Sequence, residues 1–520
     1  MKHFLNIFFW VSLFMLSCCA KDNIVLIDPI ETDDNEDLIA NTVFTQTVGV
    51  TFSDHGNAVV TDTNDDFTVT VNGNEVTIIY VGEEYVMYEL SGTTNDGFFK
   101  LYSAKKQGVT LNGVSITNPN GAAINVQGTQ TEPSKGKRTF IVLNGTNNLA
   151  DGTHYSNTPA TEDEKGVLFG EGQFIFSGEG SLTITATGKS GIVSDDYVHF
   201  MSGAITVNMS SSVNVNGSDT LKPACVRGKD YVKMTNGALS LTSTGTGGKG
   251  ISSDGNGYFY GGTVNVTVTG NNFGSNGGGG GPGGWSNSSS NGVSAKGLKF
   301  DGNLIFKGSR VVVNSAAHEG IEAKGTLSVS GGEVYSHSQS DDAINAGSNL
   351  TISDGLVCAY SQGNDGLDAN GNCYIKGGVV YAISAGSPEV AIDANSEGGY
   401  KLYLTGGTLV AIGGLENGSS LTQGCYSASS WSKNTWYGLT VGSTTFAFKT
   451  PASGGTPLVV SGDSSPTLQS SVIVAGGTEC FEGLFYTDAS VSGGNSVSLS
   501  SYTGSNGGGG GPGGGGHGPF

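Results

Sequence analysis

Seven carboxylates recur at turns whose spacing suits a metal ion. Glu319, Glu322, Asp341, Asp342, Asp365, Asp368 and Asp393 lie in "HEGIEAKG", "DDAINAGS", "NDGLDANG" and "EVAIDANS". The apolar residues at the centres of these segments, Ile321, Ile344, Leu367 and Ile392, are 23, 23 and 25 residues apart. If each repeat advances the chain by one strand spacing, equivalent side chains form vertical columns with neighbours roughly 4.8 Å apart. Ionised carboxylates stacked that closely raise each other's pKa unless a cation sits between them. Calcium takes six to eight oxygens at about 2.3–2.6 Å, so two oxygens across one ion are about one rung apart. Asp and Asn are also common in turns because they bond nearby backbone N–H groups, and such a ladder needs no metal. Taken together, the seven point to calcium.

The same columns hold Lys296 and Lys299 one repeat earlier, with Lys324 close by. A lysine next to calcium could abstract the proton alpha to a uronate carboxylate, the chemistry of a pectate lyase. A lysine beside carboxylates has a raised pKa, however, and makes a poor base at neutral pH. The residues therefore favour binding without catalysis. No HExxH or GxSxG is present, and "GTGGKG" (245–250) matches a dinucleotide fingerprint but lies between short strands with no helix to follow.

Another column follows each Gly turn. Tyr335, Tyr360 and Tyr381 fall on outward positions of successive repeats, where in-register rings could stack on a sugar chain. The alternative is that they pack beneath the C-terminal segment. Trp285, Trp431 and Trp436 stand in Gly/Ser-rich or irregular stretches, as sugar-stacking residues or as packing anchors.

The elements that must position these residues follow from the repeat. An apolar anchor after a small residue recurs at Val167, Ile192, Val226, Ile251, Leu298, Ile321, Ile344, Leu367 and Ile392. Between anchors lie Gly-ended runs such as "GGTVNVTV", "GGEVYSHS" and "GGVVYAIS", about three short strands per repeat. Hairpins would reverse direction at each turn and break the register. The expected fold is all-β: a right-handed parallel β-helix with a small C-terminal β cap or domain. Val264, Val266 and Val268 should face inward. The 47-residue interval from Ile251 to Leu298 spans about two repeats and contains "GGGGGPGG", so an insertion or an atypical repeat sits there. The expected organisation is a leader over 1–18, an acidic linker over 19–45, the β-helix over 46–415, a β cap over 416–503 and a Gly-rich tail over 504–520.

Composition agrees. Of 520 residues 86 are Gly and only 13% are charged, with no long 3.6-residue apolar period. A formal charge of −21 argues against nucleic acid, whose phosphates need Lys and Arg. Cys225, Cys358, Cys373, Cys425 and Cys480 have no CxxC spacing and read as small buried residues. "MKHFLNIFFWVSLFMLSCCAKD" has a basic start and an apolar run too short to span a bilayer comfortably. Its "LSCC" resembles a bacterial lipoprotein cleavage site with Cys19, or else Cys18, as the lipidated residue. The following "AKD" resembles a surface-export signal of the Bacteroidetes type. The expectation is an outer-membrane lipoprotein, surface-exposed and held by an N-terminal lipid anchor.

The run "VTLNGVSITNPNGAAINV", the turn "NNLADGTHY" and the series "KGISSDG", "DDAINAG" and "NDGLDANG" resemble one family. It is the bacterial carbohydrate-binding β-helix family of plant-biomass-degrading anaerobes, and the similarity covers roughly residues 45 to 450. The resemblance implies a right-handed parallel β-helix that binds calcium and cell-wall polysaccharides such as cellulose and polygalacturonate. It also implies architectural similarity to family-9 pectate lyases. Its acidic turns map onto Glu319, Asp341, Asp342, Asp365 and Asp368. Earlier in the chain the turn becomes "KSGIV", "PACVR", "GKGIS" and "AKGLK", so the resemblance carries no calcium ligands there. Three functions follow: a non-catalytic surface protein binding cellulose- or pectin-like polysaccharide, a calcium-dependent lyase, or a structural adhesion protein.

Overall fold

The computed structural model describes residues 35–156, 159, 162–216, 219–274 and 292–504. Cys18, Cys19, the leader, Trp285 and nearly all of the Gly-rich tail lie outside the described residues. The chain divides into two units, Met1–Val43 and Phe44–Phe520. In the first, the described residues form a single 3-10 turn, Ile39–Asn41. The second is built of strands, and no α-helix occurs among its described residues.

Parallel strands stack in three ladders, and each repeat adds one strand to each. The first ladder runs through Thr139–Asn144, Phe174–Gly178, Tyr197–Phe200, Tyr231–Met234, Asn256–Phe259 and Leu304–Phe306. The second runs through Thr146–Asp151, Ser181–Ala186, Ala204–Met209, Ala238–Ser243, Thr263–Val268 and Arg310–Ser315. The third forms a separate sheet that ends in the three-residue strands Leu298–Phe300, Ile321–Ala323, Ile344–Ala346 and Leu367–Ala369.

Register in the third ladder is set by the apolar anchors. Ile192, Val226, Ile251, Leu298, Ile321, Ile344 and Leu367 pair one to one, and bridges extend the series to Ile392 and Leu415. Leu168, not Val167, pairs with Ile192, because Val167 sits one residue out of phase with its neighbours. Ile251 pairs directly with Leu298, so the long interval is one repeat enlarged by an insertion rather than two repeats. The anchors, Val264, Val266 and Val268 are all buried in one continuous core. The glycine before an anchor is required by that packing: a Cβ at Gly320 would lie 2.0 Å from Ser336 Oγ, and one at Gly366 would lie 2.6 Å from the Ala391 carbonyl oxygen.

The C-terminal region is more than a lid. Trp436–Val441, Thr444–Lys449, Thr467–Cys480 and Phe485–Val497 close an antiparallel barrel, while Leu458–Ser461 pairs with the last strand of the second ladder. The barrel covers the outward face of that ladder. Tyr335, Cys358, Tyr381 and Val410 share a buried cluster with Tyr437, Phe448 and Phe485. The Tyr381 ring lies 5.7 Å from Phe448 and 5.8 Å from Phe485, and its hydroxyl donates to the Lys449 carbonyl at 2.8 Å. Glu333 ties the barrel hairpin to the ladder by accepting the Phe481 N–H at 2.8 Å. Truncating a buried aromatic leaves a cavity, so Tyr381→Ala should lower stability by about 3 kcal/mol in urea denaturation. A loss below about 1 kcal/mol would show that the barrel is not docked there.

Candidate functional site

The third ladder's anchors face inward, so the residues on either side of them line its outer surface. One residue after the anchor, Lys299, Glu322, Asn345 and Asp368 pair in register, and Asp393 follows the bridge from Leu367 to Ile392. Two residues before it stand Lys249, Lys296, Glu319, Asp342 and Asp365. The columns predicted from spacing exist.

Backbone amides take part of the carboxylate ladder. Asp342 Oδ1 accepts the Asp365 N–H at 3.2 Å, and Asp365 Oδ1 accepts the Val390 N–H at 2.6 Å. The Asn345 amide donates to Asp342 at 3.2 Å and to Asp368 at 2.6 Å, which ties the two columns together. These bonds do not balance the charge. Burial, followed by Asp368, Asp341 and Asp365, pushes the Asp342 carboxyl well above the usual range. Burial pushes Asp365 to about 8 despite its amide partner, and Asp368 to about 6. Asp393 reaches about 10 through burial and contact with Glu416. Four carboxyls on three successive rungs, Asp365 and Asp368 sharing one, thus favour protons, or a cation in their place. Oxygen donors at one-rung spacing fit calcium.

The rest of the expected metal set divides. Glu322 is corrected out of it. Burial opposes its charge, but Lys296 outweighs burial and holds the carboxyl below its ordinary value. Its oxygens meet Lys296 at 2.6 Å and Lys324 at 2.5 Å. Glu319 lies 3.0 Å from Lys296 and, with His318 and Asp341, forms a group whose ligand atoms all lie within 4.8 Å of one another. His318 bridges the two acids, 2.9 Å from Asp341. Asp341 is held below its usual range because His318 outweighs the cost of burial.

The lysines are reassigned in the same way. Lys296 is clamped by two carboxylates, and Lys299 lies 2.5 Å from Asp301, so both amines are engaged in ion pairs. Lys249, one rung before Lys296, is the exception. Burial, then Lys299 and Lys296, lowers its amine to about 7. It lies inside the "GTGGKG" segment, and extending the lysine column one anchor further back would have found it.

The tyrosine platform is overturned. Tyr335 is 6% exposed and Tyr381 0%, both beneath the barrel, where no sugar can reach them. Tyr360 is half-buried with its ring stacked on His337 at 4.6 Å. Stacked tyrosines occur instead on the first ladder, with Tyr374 5.1 Å from Tyr403 and Tyr197 4.3 Å from Tyr231. Trp431 donates to the Gly455 carbonyl and Trp436 packs near Tyr486, so both serve the C-terminal region. The five cysteines of the folded part are free and buried.

Residues 72–343 match the model of a family described as "carbohydrate-binding domain-containing protein". The chain belongs to this family. The match spans the N-terminal repeats and reaches Glu319, Glu322, Asp341 and Asp342. No curated protein matches. Among solved structures, the polysaccharide lyase-like protein from C. thermocellum, as a gadolinium derivative, is 19% identical, with 60% of this chain and all of that chain covered at a TM-score of 0.38.

The raised carboxyl pKa values set a pH dependence. The folded state binds protons more tightly than the unfolded chain, whose Asp titrates near ~3.9. Metal-free stability is therefore fullest at acid pH and is lost as pH rises through about 6 to 10, the values for Asp368, Asp365 and Asp393. With chelator, Tm should fall between pH 5 and pH 9, and added calcium should restore it most at the alkaline end. A Tm that is flat or rising with pH in chelator would contradict the assignment.

Proposed function

We propose that this protein is a non-catalytic, cell-surface polysaccharide-binding protein that uses calcium, with its three ladders wound as a right-handed parallel β-helix. One observation carries the reading: Asp342, Asp365, Asp368 and Asp393 cluster on three successive rungs at carboxyl pKa values that oppose their charge, in a chain of a carbohydrate-binding family. Calcium held by these residues would keep coordination positions open to sugar hydroxyls or uronate carboxylates. The ligand class is plant cell-wall polysaccharide, cellulose or pectin. A lipid on Cys19 or Cys18, followed by the acidic tether, would hold the binding face away from the outer membrane. The test is a glycan panel with and without chelator. Pectin-type chains should bind only with calcium, and Asp365→Asn with Asp368→Asn should reduce affinity at least tenfold. Binding that ignores both chelator and variants would overturn the calcium reading, and no binding to any glycan would favour the adhesion reading.

A lyase is the second reading, favoured by Lys249 alone. An amine with a pKa of about 7, one rung from the acidic column, can accept the proton alpha to a uronate carboxylate at neutral pH. Polygalacturonate with calcium should give no rise in ultraviolet absorbance from unsaturated product. If absorbance does rise, Lys249→Ala should abolish it, while Lys299→Ala should leave most of it.

A further inference from the structure

The first ladder continues past Leu304–Phe306 toward the C-terminal end of the repeats. Ser328, Thr351, Tyr374, Tyr403 and Ser420 pair in register there on successive rungs. The residues on either side of the first four are buried in the core, as Cys373 and Ile375 flank Tyr374 and Leu402 and Leu404 flank Tyr403. The side chains between them therefore point outward. None of the five belongs to the cluster buried under the barrel. Two residues after the row, Ser353, Lys376 and Thr405 stand exposed on consecutive rungs.

The tyrosines form an aromatic step on this face. Their rings stack at 5.1 Å with 13° between the planes, close to the rung spacing of about 4.8 Å, so they lie nearly face to face along the ladder. The next residue in the row, Ser420, is too small to cover the far face of Tyr403. Amides flank the step. Asn349 Oδ1 accepts the Asn372 N–H at 2.9 Å, and Asn372 Oδ1 accepts the Lys401 N–H at 2.9 Å. Each amide oxygen is thus fixed by the following rung, and neither NH2 group has an acceptor among the described residues.

A pyranose ring has an apolar C–H face and a rim of hydroxyls. The tyrosines suit the face, while the amides and the Ser and Thr hydroxyls suit the rim. Five rungs extend the surface over about 19 Å, which favours a polymer over a single sugar. None of the named positions is a carboxylate, although the chain has 45 Asp and Glu, so a metal has no ligand here. The Lys376 amine lies 5.0 Å from the centre of the Tyr374 ring, which engages its charge. That leaves Lys401, too little to hold a polyanion against a chain of charge −21.

We propose that this face, centred on Tyr374 and Tyr403, is a second glycan site that takes a neutral linear polysaccharide without calcium, while the aspartate column takes acidic chains. The site depends on the polysaccharide-binding reading but not on its metal. The test is affinity electrophoresis of the full chain in chelator, through gels containing mixed-linkage β-glucan or polygalacturonate. The glucan should retard the protein. Tyr403→Ala should weaken binding about fivefold, and adding Tyr374→Ala should abolish it, with unchanged circular dichroism. Tyr403→Phe should keep most of it. Where losing a ring disturbs folding, Thr405→Arg, at an exposed position beside Tyr403, should weaken the same binding by blocking the face. The proposal is overturned if the glucan gel does not retard the protein, or if the folded double variant or Thr405→Arg binds like the native chain. Retardation by polygalacturonate in place of the glucan overturns the assigned ligand class. Failure of the polysaccharide-binding reading is distinct, because then neither gel retards the protein even with calcium. Failure of this face alone leaves calcium-dependent polygalacturonate binding in place.

Discussion

In-register pairing of Leu298, Ile321, Ile344 and Leu367 is the constraint from which the site follows. A one-residue slip of any strand would turn its carboxylate into the core and its anchor into water. Burying one such anchor contributes about 1.5–3 kcal/mol. Holding Asp368 ionised at neutral pH against a pKa of about 6 costs about 3 kcal/mol. The two terms are of similar size. The apolar core can thus hold a stack of carboxylates that would otherwise spread apart, but it leaves little excess, and a proton or a cation in the column decides the balance.

Charge along the third ladder changes sign within a few rungs. Lys249, Lys296 and Lys299 occupy one stretch, and Asp342, Asp365, Asp368 and Asp393 the next. At the boundary Lys296 pairs with both Glu319 and Glu322. Beyond the boundary no lysine forms an ion pair with Asp342, Asp365, Asp368 or Asp393 among the described residues, and their pKa values are raised. On the other side the lysines face one another, and burial with Lys299 and Lys296 lowers the Lys249 amine. The unusual amine and the unusual carboxyls are two results of one gradient.

Much of this was legible in the sequence because the repeat keeps its period. Anchors 23 residues apart gave the pairing of Ile321, Ile344 and Leu367, and hence both columns of the acidic site. The reading slipped at Val167, where two adjacent apolar residues offered equally good anchors, and at the insertion before Leu298, where length alone could not separate one long repeat from two. Partners were harder to read than positions. Glu322 has the sequence signature of a ligand, but its ion pairs join residues on neighbouring rungs and the choice among them depends on side-chain reach.

The tyrosines carry a more general point. Periodicity correctly placed Tyr335 and Tyr381 on the outer side of their strands, yet the outer side of a strand is the surface of the molecule only where nothing else packs on it. A barrel assembled from residues 436–497 lies on that ladder, and its Phe448 and Phe485 take the rings that a sugar would have met. This allocation bears on where a long polymer can lie. The second ladder's outward face is taken by the barrel from Val312 to Val410. At the other end of the third ladder, Glu162 and Glu164 lie over Lys100 and Asn125 and close that stretch as well. Farther along the third ladder, Asp341, Asp368 and Asp393 are only half-buried. The outer edge of the carboxylate stack is therefore open to solvent on one side, as the proposed calcium site requires.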